Sequence, residues 1–202
     1  MKKVYCHLQY AWWKYLLVAL AISLGWTALF TQFAATKDEE KVAILYMGEQ
    51  LQYEELQQCL WGNKSDITNQ TLKKVTVEKI ANAGSYFNGI ISTRIYEKDI
   101  IILTEDLMHE YVGRNFFEPL PLEKIAWVNS TSLYMEDGKP YGFIVSGGDG
   151  SLLGQYIGTQ EKVYVFLSSQ SVNLDRLYGK GVSGYDAALQ MLRFMMEGEA
   201  YS

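Results

Sequence analysis

The longest apolar run of the chain covers residues 15–33, where nineteen consecutive residues are uncharged and mostly apolar. At about 1.5 Å rise per residue, a helix of this length spans roughly 28 Å, close to the hydrocarbon thickness of a bilayer. No face of the segment is polar, whereas a helix packed on a soluble core needs a polar outer face. The pattern therefore predicts a transmembrane helix near the amino terminus.

Charged residues on either side of this helix predict its orientation. Lys2, Lys3 and Lys14 precede the apolar run, and the mostly acidic segment 37–41 follows it. Basic segments stay in the cytoplasm, so everything after about Thr36 should be extracytoplasmic. We therefore expect a single-pass protein of the cell membrane. Its parts are a basic cytoplasmic segment at 1–14, an anchor in the lipid bilayer at 15–33, a juxtamembrane linker at 34–41 and an extracytoplasmic domain at 42–202.

A cleavable secretory signal also starts with basic residues and an apolar segment. Its apolar region is usually about 7–15 residues long and ends in a small-x-small cleavage site. Here the run is longer, and cleavage after Ala35 or Ala34 would place Phe33 or Gln32 at the third position before the cut. These features favour a retained anchor, and cleavage of the segment stays open as the alternative.

Short apolar runs alternate with helical patterns after the anchor. Runs of apolar residues bounded by polar or turn residues predict strands at 42–47, 99–103, 141–145 and 162–168, and alternation of apolar and polar residues predicts a further strand at 72–80. Apolar residues spaced for one helical face, together with start and stop residues, predict helices at 49–61, 83–95, 105–112 and 185–196. Strands that alternate with helices indicate an α/β fold, here a single small domain with a mostly parallel sheet.

Charge excludes two classes of partner for this domain. No acidic residue precedes Asp38, so the chain after the anchor holds all 23 acidic side chains against 15 Lys and Arg, a net charge of −8. Nucleic acid and anionic lipid surfaces attract basic proteins, so neither is an expected partner. The acidity is explained most simply by solubility.

Catalytic and metal-binding patterns are weak in this sequence. The two histidines are His7 and His109, and the helix around His109 lacks the second histidine of a zinc-protease motif. Glu105 and His109 lie four residues apart, which fits a pair on a helix surface or half of a metal site. No Gly-x-Ser-x-Gly elbow is present. We therefore predict no catalytic residue, no metal and no cofactor.

The candidate ligand site follows from the rule that ligands bind beyond the carboxyl ends of strands in open α/β sheets. Three predicted strands end in residues that could contact a ligand. The candidates are Gly48, Glu49, Thr104, Glu105, Ser146, Gly147 and Gly148. The last three belong to the glycine-rich loop 146–151, which lacks the Lys-Ser or Lys-Thr of a phosphate loop. This loop is either a simple turn or part of the ligand site.

Five segments, taken in order, resemble extracytoplasmic solute-binding proteins of ABC importers. They are the strand at 42–47, the Asp-led strand at 99–103 with its following helix, Phe117-Glu118-Pro119-Leu120, Tyr141-Gly142-Phe143-Ile144-Val145, and Asp186-Ala187-Ala188-Leu189. The resemblance implies one lobe of a periplasmic-binding-protein fold and binding of a small solute. Those proteins carry a second lobe between the turn and the return strands. Only about twenty residues lie between Leu120 and Tyr141, so the resemblance implies a truncated, one-lobe and membrane-anchored relative.

The functional expectation is a non-catalytic binding domain that takes a small solute or docks another envelope protein. A structural or assembly partner of an envelope or transporter complex is the alternative, with close helix contacts through Ala19, Ser23, Trp26 and Thr27 in the anchor. A hydrolase of unrecognised type around His109 is the third interpretation.

Overall fold

The computed structural model describes residues 2–34, 36–68, 72–81, 93–111, 116–125, 127, 132–158, 161–175 and 186–198. The chain divides into two compact units, Met1–Lys37 and Asp38–Ser202. Most of the predicted helix at 83–95 lies outside the described residues, as does the side chain of His109.

The first unit is one long helix, α1, over Lys2–Ala34. Its segment Ala11–Thr31, with a mean hydropathy of 1.5, is long and apolar enough to cross a membrane. A signal sequence near an amino terminus can meet the same criteria of length and composition. Within the segment, the hydroxyl groups of Ser23 and Thr27 donate hydrogen bonds to backbone carbonyls one turn earlier in the same helix, at 2.9 Å and 2.8 Å.

The second unit combines six strands with four helices in its described part. The strands are β1 (Lys41–Met47), β2 (Lys74–Ile80), β3 (Ile100–Thr104), β4 (Leu133–Glu136), β5 (Lys139–Ser146) and β6 (Lys162–Leu167). The helices are α2 (Tyr53–Gly62), α3 (Lys64–Ile67), α4 (Glu105–Tyr111) and α5 (Ala187–Glu197). Short 3-10 turns lie at Asp38–Glu40, Leu122–Lys124 and Leu153–Tyr156. The α/β class predicted from the sequence is confirmed.

The strands form one mixed sheet in the order β2-β1-β3-β6-β5-β4. Strand β1 pairs in parallel with β2 and β3, whereas β6 pairs antiparallel with β3, and β5 lies antiparallel to both β6 and β4. The sheet is therefore parallel at one end only. Strand β4 was missed in the sequence because it is four residues long and, apart from an exposed Met135, only half-buried.

Both faces of the sheet are covered near its centre. On one face, Ile44 and Ile102 pack in a large apolar cluster with residues of α2 and α5. On the other face, Leu45, Leu103 and Phe166 pack in a second cluster with residues of α4. Because apolar side chains leave β1 on both sides, its sequence is a continuous apolar run and does not alternate. The strand predicted at 42–47 is confirmed.

A buried polar network joins the amino ends of β1 and β3 to the segment that follows β6. Asp99, only 5% exposed, accepts the backbone N–H of Ala43 at 2.8 Å on one carboxylate oxygen. Its other oxygen accepts the Ser171 hydroxyl at 2.6 Å and the Asn173 side-chain amide at 2.9 Å. That amide also donates to the carbonyl of Lys41 at 2.8 Å. Burial raises the pKa of Asp99, although these donors favour its charged form.

Candidate functional site

Strand directions bring three loops to the same edge of the sheet, which we call the carboxyl edge. Strand β5 runs antiparallel to β6, and β6 runs antiparallel to β3, so β5 runs in the direction of β3. Thr104 at the end of β3 is paired with Val163, which is paired in turn with Val145 near the end of β5. The residues predicted after β1, β3 and β5 therefore all lie along this edge.

Gly48 and Thr104 lie close together beside the hydroxyl end of the Tyr46 ring. A Cβ atom on Gly48 would overlap the Tyr46 hydroxyl oxygen and lie 2.8 Å from Cγ2 of Thr104. The Gly48 φ of +156° is also one that L side chains rarely adopt. Tyr46 is fully buried, and its hydroxyl accepts the backbone N–H of Gln50 at 3.1 Å. Only glycine allows the backbone to pass this close to the phenol.

Glu161 completes this part of the edge and was not among the predicted residues. It directly precedes β6, and its Oε2 atom is buried with no hydrogen-bond partner in the described part of the chain. Burial, and then the charge of Glu49, raises the pKa of the Glu161 carboxyl. Burial, and then the charge of Glu161, raises the pKa of Tyr46 to about 12. Glu161 lies at this edge because β6 begins there, and its backbone carbonyl accepts the N–H of Gly147 at 3.1 Å. We call Tyr46, Gly48, Glu49, Thr104 and Glu161 the carboxyl-edge group.

The position of Glu161 explains why sequence reasoning missed it. That reasoning considered only the carboxyl ends of strands, as is appropriate for a parallel sheet. Strand β6 is antiparallel, so its amino end lies at the carboxyl edge. The available signal was an acidic residue directly before an apolar strand, and it becomes informative only when the direction of the strand is known.

Glu105 lies apart from the carboxyl-edge group. Its carboxylate accepts the Tyr164 hydroxyl at 3.2 Å and lies 3.9 Å from the Lys162 ammonium. Tyr164 belongs to the apolar cluster on the α4 face of the sheet, whereas Tyr46 belongs to the cluster on the opposite face. Burial, followed by the charge of Glu105, raises the pKa of Tyr164. The adjacent candidates Thr104 and Glu105 therefore contact different groups.

The glycine-rich loop is a turn ordered by Asp149. One carboxylate oxygen of Asp149 accepts the backbone N–H of Ser146 at 3.0 Å, and the other accepts the backbone N–H of Ser151 at 2.9 Å. The N–H of Gly147 donates to the carbonyl of Glu161 at 3.1 Å, and that of Gly148 donates to Gly154 at 3.0 Å. These glycine amides already have acceptors, so the loop shapes the edge without offering them to an anion.

Two cavities are lined by residues outside the carboxyl-edge group. One, of about 470 Å³, lies at the amino ends of the parallel strands and is lined by Lys41, Lys74, Lys98 and the Asp99 network. The other, of about 490 Å³, lies between Trp127 and the loop 146–151. Among the described residues, no group of three or more His, Cys, Asp and Glu side chains could hold a metal ion.

Comparison with known proteins adds little to this geometry. No family model and no curated protein matches the sequence. Among solved structures, the chain is similar to the N-glycan transport solute binding protein NgtS of Streptococcus pneumoniae in complex with Man1GlcNAc, at 14% sequence identity and a TM-score of 0.37. The likeness covers 52% of this chain and 25% of that one, so this chain spans about a quarter of its length. So slight a likeness supports no argument about function.

Proposed function

We propose that this chain is a single-pass membrane protein whose extracytoplasmic α/β domain binds a small solute at the carboxyl edge, without catalysis. The observation that carries the proposal is the buried, unpartnered Oε2 atom of Glu161, taken among the residues described. A buried polar atom without a partner carries a free-energy cost that a bound ligand can remove. This atom also lies at the edge where open α/β sheets bind their ligands.

The anchor leads to the first prediction. The full chain should stay in the membrane fraction after alkaline carbonate extraction. Deletion of residues 1–37 should release the remaining domain, because no other described helix is long and apolar enough to span a bilayer. Protease added outside the cell should degrade the domain in the full-length protein. A shortened, freely soluble extracytoplasmic chain would instead identify the helix as a cleaved signal.

A second prediction tests the edge with a matched pair of variants. The full chain in nonionic detergent micelles is screened by thermal unfolding against sugars, amino acids, peptides, amines and organic acids. A solute at about 100 times its dissociation constant should add roughly 2.7 kcal/mol of stability and raise the melting temperature by several degrees. Thr104→Val should weaken its binding by roughly threefold to tenfold, as expected for one lost hydrogen bond.

The control is Thr76→Val, the same substitution beside the cavity at the opposite edge of the sheet. It should leave the affinity unchanged. Weaker binding by Thr76→Val together with unchanged binding by Thr104→Val would move the site to that cavity and contradict the proposal. The absence of any bound solute across the screen would also contradict it.

The alternative function is that of an assembly partner, in which the anchor helix itself contacts another membrane protein. The side chains of residues 12–31 are exposed within the structure, so lipid or another helix can cover them. Ala19, Ser23, Trp26 and Thr27 were the predicted contacts. The hydroxyl groups of Ser23 and Thr27 donate hydrogen bonds within their own helix. These side chains would therefore contribute to helix association mainly through their small size, which allows close packing.

A further inference from the structure

We propose that the cavity at the amino ends of β1 and β2 binds a phosphate monoester that also carries a hydroxyl group. This cavity, of about 470 Å³, lies at the edge of the sheet opposite the carboxyl-edge group, and we call it the amino-edge cavity. A ligand here is a second ligand, independent of the solute of the proposed function. Among the described residues, the walls combine a buried acceptor that has no donor with an ammonium group that has no anion.

The register of β1 and β2 forms one side of the amino-edge cavity. Lys41 is paired with Lys74 in these parallel strands, and two residues further along Ala43 is paired with Thr76. Alternate residues of a strand share a face of the sheet, so these four side chains leave it on the same face, and all four line the cavity. The next residue of β1 on this face, Leu45, is buried in the apolar cluster with α4. The apolar covering therefore ends at the small side chain of Ala43, which leaves space for a ligand.

The buried side of the amino-edge cavity offers a hydrogen-bond acceptor without a donor. Asn173 lines the cavity and is 1% exposed. Its amide nitrogen donates to the carbonyls of Asp38 and Lys41 at 3.2 Å and 2.8 Å, and to Asp99 at 2.9 Å. These three acceptors determine which end of the amide is the nitrogen, and the Oδ1 atom of Asn173 has no partner among the described residues. A ligand group that reaches this atom must therefore donate a hydrogen bond.

The neighbouring buried groups orient such a ligand. The Ser171 hydroxyl donates to Asp99 at 2.6 Å, so it has no hydrogen left for a ligand. Asp99 itself is a buried carboxylate that lines the cavity. An anionic group placed beside it would meet a like charge at low solvent exposure. The neutral, hydrogen-bond-donating end of the ligand therefore belongs at the buried side, and its anionic end belongs at the rim.

The rim of the amino-edge cavity offers a positive charge without an anion. Three lysines line the cavity. Lys41 pairs with Asp38 at 2.6 Å, and Lys98 pairs with Glu78 at 2.7 Å. The exposed Lys74 ammonium has neither an ion pair nor a hydrogen bond in the described part of the chain. Lys74 is also the direct partner of Lys41 across the two strands, and an anion bound beside it would offset the repulsion between the two ammonium groups.

The two ends together select the class of ligand. A hydroxyl group would donate to the Asn173 amide oxygen, and a phosphate monoester would bring acceptor oxygens and a charge of about −1.5 to −2 to Lys74. A carboxylate would bring only a single charge to a wall that holds three ammonium groups. A ligand amine would supply the donor but would meet those ammonium groups. A neutral polyol would leave Lys74 without an anion.

The probe for this site is glycerol 1-phosphate, a phosphate monoester with free hydroxyl groups. It is titrated into the full chain in nonionic detergent micelles at neutral pH, in a phosphate-free buffer, with binding followed by calorimetry. Methyl phosphate lacks the hydroxyl groups, glycerol lacks the phosphate, and glycerophosphoglycerol is the soluble phosphodiester form of a lipid headgroup. Lys74→Met removes the free ammonium group. Lys139→Met makes the same change at the exposed first residue of another strand, β5.

Glycerol 1-phosphate should bind the unmodified chain and Lys139→Met with similar affinity, and Lys74→Met at least about tenfold more weakly. Methyl phosphate and the singly charged phosphodiester should each bind about threefold to tenfold more weakly than glycerol 1-phosphate, and glycerol should not bind detectably. No binding of glycerol 1-phosphate, an unchanged affinity in folded Lys74→Met, or equal binding of methyl phosphate would each overturn the inference. Tighter binding of the phosphodiester would also overturn it, because the ligand would then be a lipid headgroup.

Two further measurements keep this result separate from the proposed function. Thermal unfolding checks that both lysine variants are folded. Thr104→Val should leave the affinity for glycerol 1-phosphate unchanged, because Thr104 lies at the carboxyl edge. A weaker affinity in Thr104→Val would place the phosphate ester at that edge and overturn the inference of a second site. Failure of glycerol 1-phosphate to bind would leave the solute screen at the carboxyl edge unaffected.

Discussion

Replacing Asp99 with alanine should lower the free energy of unfolding by at least about 3 kcal/mol, because three buried donors would lose their acceptor at about 1–3 kcal/mol each. These donors are the Ala43 N–H in β1 and the Ser171 hydroxyl and Asn173 amide in the segment that follows β6. Urea denaturation of the full chain in detergent micelles, followed by circular dichroism, measures the loss.

Two further variants make this result interpretable. Asp99→Asn keeps one acceptor oxygen and should lose only about 1–2 kcal/mol, so it gives a measurement even if the alanine variant does not fold. Glu97→Gln changes a neighbouring exposed carboxylate and should stay within about 0.5 kcal/mol of the unmodified chain. A loss below about 1 kcal/mol for Asp99→Ala would show that the network does not hold the amino ends of β1 and β3 together.

Gly142→Ala should lower the free energy of unfolding by about 2–3 kcal/mol, the cost typical of overpacking a tight interior. A Cβ atom at this position in β5 would lie 2.5 Å from the Val165 carbonyl oxygen and 2.7 Å from the Phe166 ring. The backbone oxygen cannot move without disturbing the pairing of β5 with β6. The same urea denaturation measures the change.

Gly62→Ala is the matched control for Gly142→Ala. Gly62 is the exposed last residue of α2, and a Cβ atom there would meet nothing within 4 Å. Alanine has the higher helix propensity, so this variant should be neutral or more stable by up to about 1 kcal/mol. Equal losses in the two variants would contradict the steric explanation, because only Gly142 lies against a neighbouring strand.

The residues at the carboxyl edge were predicted only in part from the sequence. Gly48 and Thr104 were predicted from their positions after apolar strands, and the fold places them in contact around Tyr46. Their role in binding stays a prediction. Glu105 was predicted with them but contacts Tyr164 and lies near Lys162, because the residues that follow a strand can turn to either face of the sheet.

The sequence by itself determined the membrane-length helix and the buried strands. An uninterrupted apolar segment such as 15–33 can be read without tertiary contacts, because its length alone matches a bilayer. Residues 42–47 and 100–103 were equally clear, since strands buried on both faces are apolar throughout. The α/β class follows from the alternation of such runs with helical patterns.

Only the tertiary structure decided the direction of β6 and the existence of β4. The pattern of apolar residues reflects burial, and a strand buried on both faces has the same pattern whether it is parallel or antiparallel to its neighbours. The antiparallel direction of β6 in turn placed Glu161 at the carboxyl edge. Asp99 was predicted as the first residue of a strand, and its donors come from residues 56, 72 and 74 positions away in the chain. Contacts over such separations arise from the packing of the whole domain, which is why local pattern could not reveal them.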